Sequence, residues 1–351
     1  MIGFTRIAYF FLLALFCGWA ISAQQNTPPT ENPPGRIFLD VVVTAKPGPP
    51  LAGLQQQDFT ILDNQAPQII ASFEAVSACE TDQSVILVMD AINARIQDFT
   101  FARTEIGKFL RADEGHLAYP TAIATFTGKG IQLEENFSRD GNALGATLDR
   151  TGAGLRGADL ARSAGLYGEA ERLQFSIQAL DQILASAAQV PGRKLIIWLS
   201  PSWPFMAQAQ LDSKQQRQLF DSLVLVSNDL LEAHVTLYSV DPVGASDTLV
   251  RDSYYKQFLK GVTKPNQVYA GNLTLQVLAV QSGGLALPPS NDIAGMVREC
   301  LKASAPYYEI SVDPPPSKRL GEYHRLEIKL AKAGLIARTL QGYYAQPVSR
   351  D

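Results

Sequence analysis

Residues Ser84–Ala91 read SVILVMDA, an apolar, β-branched run that closes on a carboxylate at Asp90. A run this short, bounded by polar residues, predicts a strand buried on both faces. Outward from it the chain alternates helical and strand patterns. Phe99, Ala102, Ile106, Phe109 and Leu110 fall at helical spacing across 99–111. Thr121–Thr127 and Ile131–Leu133 are expected to pair as a hairpin through Gly128-Lys129-Gly130. A short helix is predicted over 140–148, an irregular loop over 151–168 and a helix over 173–188. Lys194–Leu199 (KLIIWL) is a second buried strand, and His234–Asp241 (HVTLYSVD) a third that ends in Asp. Helices are expected at 213–231, 273–281 and 292–303, with a short strand at 284–287. Strands alternating with helices are the grammar of a parallel sheet.

The flanks follow a different rule. Before the α/β region, 36–45, 59–63 and 68–76 alternate as half-buried strands; after it, 307–312, 323–331 and 336–344 do the same. The expected organisation is therefore an α/β domain over 82–303 inserted into a small split β-sandwich of 36–78 and 306–346. The tyrosine pairs at 307–308 and 343–344 sit inside β runs, where alternation sends one of each pair inward. Cys79 and Cys300 fall at the entry and exit of the insertion.

Arg6 precedes the apolar run IAYFFLLALFCGWA at 7–20, so residues 1–23 read as a signal peptide cut after Ala23, followed by a Pro-rich linker at 24–35. An uncleaved anchor is the alternative, although the run is shorter than the ~20 residues of a span. Cleavage removes Cys17 and leaves Cys79 and Cys300. In an exported chain such a pair reads as a disulfide that would stabilise by about 4–5 kcal/mol; two separate buried thiols are the other reading. The 351 residues carry 30 Lys+Arg against 34 Asp+Glu, a net charge of −4. That acidic balance excludes the electrostatic footprint of a nucleic-acid binder. Three histidines and three cysteines, widely scattered, exclude a structural zinc site.

Several stretches together are similar to the von Willebrand factor type A domain, and in particular to the acidobacterial group of von Willebrand factor A-related secreted proteins. They are the front segment at 38–74, VILVMDAIN at 85–93, PGRKLIIWLSPSWP at 191–204, LYSVDPVG at 237–244, LAVQSGG at 278–284, YYEISVDP at 307–314 and ARTLQGYYA at 337–345. The resemblance implies a doubly wound, mostly parallel sheet with ligands bound outside the carboxyl ends of the strands. It also implies a metal-ion-dependent adhesion site, where an Asp-x-Ser-x-Ser loop, a Thr and a second Asp hold Mg²⁺. Asp90 matches the first Asp, but Ile92 and Ala94 stand at the two Ser positions and Ser200 at the second Asp. No Thr is placed in the loop 151–168. One carboxylate is a poor Mg²⁺ site, so the site reads as degenerate and no cofactor is expected, Mg²⁺ through Asp90 being the one conceivable metal.

No Gly-x-Ser-x-Gly elbow and no phosphate-cradling loop occurs, and catalysis is not expected. The loop Ser200-Pro201-Ser202-Trp203-Pro204-Phe205 leaves a central strand at the ligand face, stiffened by two prolines. Trp203 and Phe205 are expected either to contact a partner or to fold back onto the domain's own helices. With Asp90, Asn93, Ser200 and Ser202 they form the candidate ligand-contact set. The function expected is an exported, periplasmic or secreted, non-enzymatic adhesion-type domain. It would bind a protein or surface polymer, not nucleic acid, and have no membrane span once the signal is cleaved. A structural part of an envelope or secreted assembly is the alternative.

Overall fold

In the computed structural model of the protein, residues 35–345 are described except 47, 78–81, 135, 154–164, 205–210, 243–253, 316, 318 and 320. Four parallel strands form the centre: β5 (Ser84–Asp90), β6 (His116–Thr127), β9 (Lys194–Leu199) and β10 (Val235–Val240). The order is β10-β9-β5-β6, and β7 (Gly130–Leu133) and β8 (Ser138–Asp140) pair antiparallel with β6. Every residue of β5, β9 and β10 is buried, which is why these strands read as unbroken apolar runs.

Alternation along the strands divides their side chains between two cores. Ile86, Val88, Ile196, Trp198 and Phe126 pack against helices α3 (Gly165–Ala187), α4 (Ser213–Glu232) and α5 (Leu275–Gln281). Val85, Leu87, Met89, Ile197 and Tyr238 meet α1 (Ile96–Arg111), α2 (Gly141–Ala153) and α6 (Ile293–Lys302) on the other face. The layering is thus helix, parallel sheet, helix, and each fully buried Leu, Ile or Val contributes about 1.5–3 kcal/mol.

Two antiparallel sheets complete the fold. One has the order β13-β1-β11-β4, from β13 (Leu335–Arg338), β1 (Ile37–Ala45), β11 (Tyr307–Val312) and β4 (Ile70–Val76). The other has the order β14-β12-β2-β3, from β14 (Gly342–Ala345), β12 (Glu322–Leu330), β2 (Phe59–Asp63) and β3 (Ala66–Gln68). Leu39, Val41, Ile61, Tyr308, Ile310, Leu326 and Tyr343 form one core between them. β1 runs antiparallel to β11 with Ile37 opposite Val312 and Val41 opposite Tyr308, so the two ends of the described chain share a sheet.

Arg193, in the turn before β9, ties this sheet to the parallel one. Its Nε lies 3.0 Å from Asp40 Oδ2 on β1, its Nη1 donates to the Ser304 carbonyl at 2.7 Å, and its guanidinium stands 4.5 Å over the Tyr307 ring.

Four details differ from the sequence reading. The single strand expected over 68–76 breaks after Gln68, because β3 pairs with β2 and β4 with β11 in the other sheet. The single strand expected over 336–344 is two strands in different sheets, because β13 pairs with β1 and β14 with β12. The strand expected at 284–287 shrinks to one parallel bridge, Ser239 to Ala286. It follows a turn in which Gly283 has φ +87° and Gly284 presses on the Leu237 carbonyl, leaving no room for a Cβ. Of the loop expected over 151–168, the first and last residues are helical, α2 running to Ala153 and α3 starting at Gly165.

The expected disulfide is not formed among the described residues. Cys300 is a free thiol, and Cys79 lies outside the described residues. Ile293, Met296, Val297 and Cys300 make the buried face of α6, so the thiol points into the apolar layer under the sheet. Burial pushes its titration far above the usual thiol range. The signal segment and the linker to residue 34 also lie outside the described residues. No helix among the described residues is long and apolar enough to cross a membrane.

Candidate functional site

Asp90 ends β5, and the register sets it on the same face as Val88, Trp198 and Ser200. Its side chain therefore points toward α3 and α4, at 1% exposure. A carboxylate there must find donors, since burying it unpaired would cost several kcal/mol. The loop after β5 turns back so that the amides of Ile92 and Asn93 both donate to Asp90 Oδ1 at 2.9 Å. Asn93 Nδ2 donates to Oδ2 at 2.9 Å, and Trp198 Nε1 donates to the same oxygen at 3.0 Å. Burial raises the Asp90 carboxyl above its ordinary value, opposed by the donors from Asn93 and Trp198 and by Ser200.

Neighbouring side chains hold these donors in place. Asn93 Nδ2 also reaches Ser176 Oγ on α3 at 2.9 Å, and Ser176 in turn donates to the Arg172 carbonyl at 2.8 Å. Trp198 packs edge-on between Phe126 and Trp203, with ring centroids 6.1 and 5.0 Å away.

The predicted contact residues divide. Asp90, Asn93 and Ser200 come together at one strand end, Ser200 fully buried and its amide bonded to the Val240 carbonyl at 3.0 Å. Ser202 is half-buried and bonded through Oγ to the Trp203 carbonyl and Gln276 Oε1, at 2.9 and 3.1 Å. Trp203 is 1% exposed and folds back on Trp198, the inward of its two expected orientations. Phe205 lies outside the described residues. Trp198, Ser176 and Gln276 were not singled out from sequence, although a Trp in a buried strand beside a strand-end Asp is a usable signal, because a buried indole N–H seeks an acceptor.

The donor set tests the metal. Each carboxylate oxygen already accepts two N–H bonds from its own chain, which fills the lone-pair positions a hard cation would take. Ile92 and Ala94, both buried, bring no side-chain oxygen. Among the described residues no group of three His, Cys, Asp or Glu side chains converges on a common point. These residues do not fit Mg²⁺.

Beside the knot begins the outer face of α1. Ile96 and Phe101 are exposed there, at 48% and 39%, and with Gln97, Thr100, Thr104, Glu105 and Lys108 they line a shallow open groove. Thr100 and Thr104 spend their hydroxyls on the helix carbonyls of Ile96 and Thr100, at 2.7 and 3.0 Å. Their methyls are left as outer surface. Ion pairs Arg95–Asp98 and Lys108–Glu105, at 2.7 and 2.6 Å, neutralise the two ends.

No family model matches the chain, and no curated protein matches it. Solved structures match weakly. The human COPII-coat protein Sec24c is 9% identical with a TM-score of 0.37, over 78% of this chain and 44% of that one. The pilus adhesin SpaC from Lactobacillus rhamnosus GG, in its open conformation, is 8% identical with a TM-score of 0.39, over 84% of this chain and 42% of that one. The manganese-loaded Plasmodium vivax TRAP protein is 9% identical with a TM-score of 0.32, over 80% of this chain and all of that one. The chain thus spans less than half the length of Sec24c and SpaC. Scores this low establish no common fold.

Proposed function

We propose that this chain is an exported, non-enzymatic protein-binding module. Its α/β part is von Willebrand factor A-like and is inserted into a split β-sandwich, and its strand-end site works without a metal. The observation that carries the reading is the full commitment of Asp90. A carboxylate whose acceptor positions are filled by four N–H groups of its own chain is placed neither to relay a proton, nor to attack, nor to hold a cation. It stiffens the loop that leads into α1 instead.

The parallel order β10-β9-β5-β6 with helices on both faces supports the fold assignment, and the pairing of β1 with β11 supports the insertion. The apolar run at 7–20 supports export. The α1 face next to the knot, apolar in the middle and charge-neutral at its ends, suits a protein partner better than a charged polymer.

The experiment is capture from the source organism's envelope fraction by the mature protein and by Ile96→Glu and Phe101→Glu variants. The expected result is a partner retained by the parent and lost from both variants at unchanged melting temperature, with or without a chelator. Equal retention by the variants, or retention that needs Mg²⁺, overturns the reading. Sedimentation of the protein with the envelope and no saturable partner would favour a structural component.

A further inference from the structure

A sheet edge carries a row of unpaired N–H and C=O groups, and proteins usually blunt it with brevity, proline, lysine or cover. β3 is three residues long and contains Pro67; β7, β13 and β14 have four residues each. The outer side of β10 is taken by residues 285–287, through Ser239 N to the Leu285 carbonyl at 2.9 Å and Leu287 N to the Ser239 carbonyl at 3.0 Å. Brevity, proline, lysine and cover are all missing from β4, whose one irregularity is a register shift at its start, where Ser72 and Ile70 face the successive residues Ser311 and Val312. It runs seven residues, IASFEAV, with neither proline nor lysine, and bonds to β11 along one side. Among the described residues no backbone bond is made to its other side. Ala71, Ser72, Glu74 and Ala75 are exposed, and Ile69, at the corner where the chain passes from β3 to β4, is 89% exposed.

Charge gives this edge a direction. The register lines up Asp40, Glu309 and Glu74 in one row across β1, β11 and β4. Like charges directly opposite one another are destabilising. Asp40 has Arg193 at the inner end, but Glu309 and Glu74 have no ion pair among the described residues. Burial, with Asp40 and Glu74 close by, holds the Glu309 carboxyl above its usual range. The next place in the row, where a cation would relieve both, is the position an added strand would occupy beside Glu74.

We propose that β4 is an acceptor edge for an extended segment of a partner protein that carries Lys or Arg opposite Glu74. Main-chain hydrogen bonds would supply affinity and the row of carboxylates would select the partner. A second copy is a poor occupant, because β4 carries no cation to place opposite Glu74. This edge is separate from α1, so the two surfaces can fail independently.

The probes are two synthetic peptides of alternating valine and threonine, one with a central lysine and one with a central glutamate. Binding is followed by fluorescence anisotropy and by amide hydrogen exchange. The lysine peptide should bind about two- to fivefold more tightly, the span of a cross-strand ion pair, and should slow exchange in β4 but not in β13. In Glu74→Lys the preference should reverse. In Glu74→Gln, which keeps the shape, it should vanish. Absence of binding, binding without protection of β4, an unchanged preference in either variant, or dimerisation through β4 would each overturn the proposal.

Discussion

Replacing Asp90 by Asn tests the strand-end knot most directly. The side-chain shape is kept, but one acceptor oxygen becomes an NH₂ group. With Oδ1 kept toward the amides of Ile92 and Asn93, the new NH₂ faces Asn93 Nδ2 and Trp198 Nε1, which are donors. Turning the amide over only moves the clash to the two backbone N–H groups. Either way two hydrogen bonds to a charged acceptor disappear, at about 1.5–3 kcal/mol each, and buried donors are left without partners. Removing a buried charge returns part of this, so the net loss should be about 2–4 kcal/mol, a fall in melting temperature of about 3–6 °C. Thermal and urea denaturation of parent and variant, each with and without millimolar Mg²⁺, is the assay. If Asp90 instead waited for a cation, Asp90→Asn would relieve an unpaired charge. Equal or higher stability of the variant, or a Mg²⁺-dependent gain in the parent alone, would therefore refute the reasoning.

Two further outcomes follow from the helical layer and the loop beyond β9. Burial and the neighbouring Asp229 raise the Asp181 carboxyl to about 6. The folded state therefore holds this proton more tightly than the unfolded chain, and the stability present below about pH 4 is lost as pH rises toward 6. Because Asp181 is only half-buried, solvent screening reduces the effect. Asp181→Asn should gain only about 1 kcal/mol at pH 8 and nothing at pH 3, as read from urea midpoints across pH. Trp203→Ala should cost about 3–5 kcal/mol, since the indole is buried against Trp198; an unchanged melting curve would mean that the ring does not pack inward.

How much of this was legible depended on whether the signal was local. β5, β9 and β10 stand out because strands buried on both faces must be apolar throughout, and α6 could have been read further. Ile293, Met296, Val297 and Cys300 fall at helical spacing on one face, which places the thiol in the core without any knowledge of Cys79. The break at Thr339–Gln341 was not legible, because alternation records which side a residue faces and not which strand it pairs with. The same limit hid the knot. Asp90 is a visible strand-end carboxylate, but its four donors come from a tight loop and from Trp198 on β9, a strand 108 residues away in the chain. The prolines around Trp203 predict stiffness, and only the neighbouring Trp198 ring decides that the indole turns inward.

The pairing of Ile37 with Val312 also has a consequence in time. β1 carries the apolar run Val41-Val42-Val43, and its partners β11 and β13 lie beyond the whole α/β region. A chain made or threaded from its N-terminus exposes that strand, and the side of β4 that pairs with β11, until β11 arrives. Non-local pairings of this kind form slowly and leave unfinished chains prone to aggregate. The parallel sheet draws its strands and helices from within 84–302 and can assemble meanwhile. Closure of the outer sheets then becomes the last step and a test of completeness, so a chain broken anywhere before β11 keeps a sticky first strand for proteases to recognise.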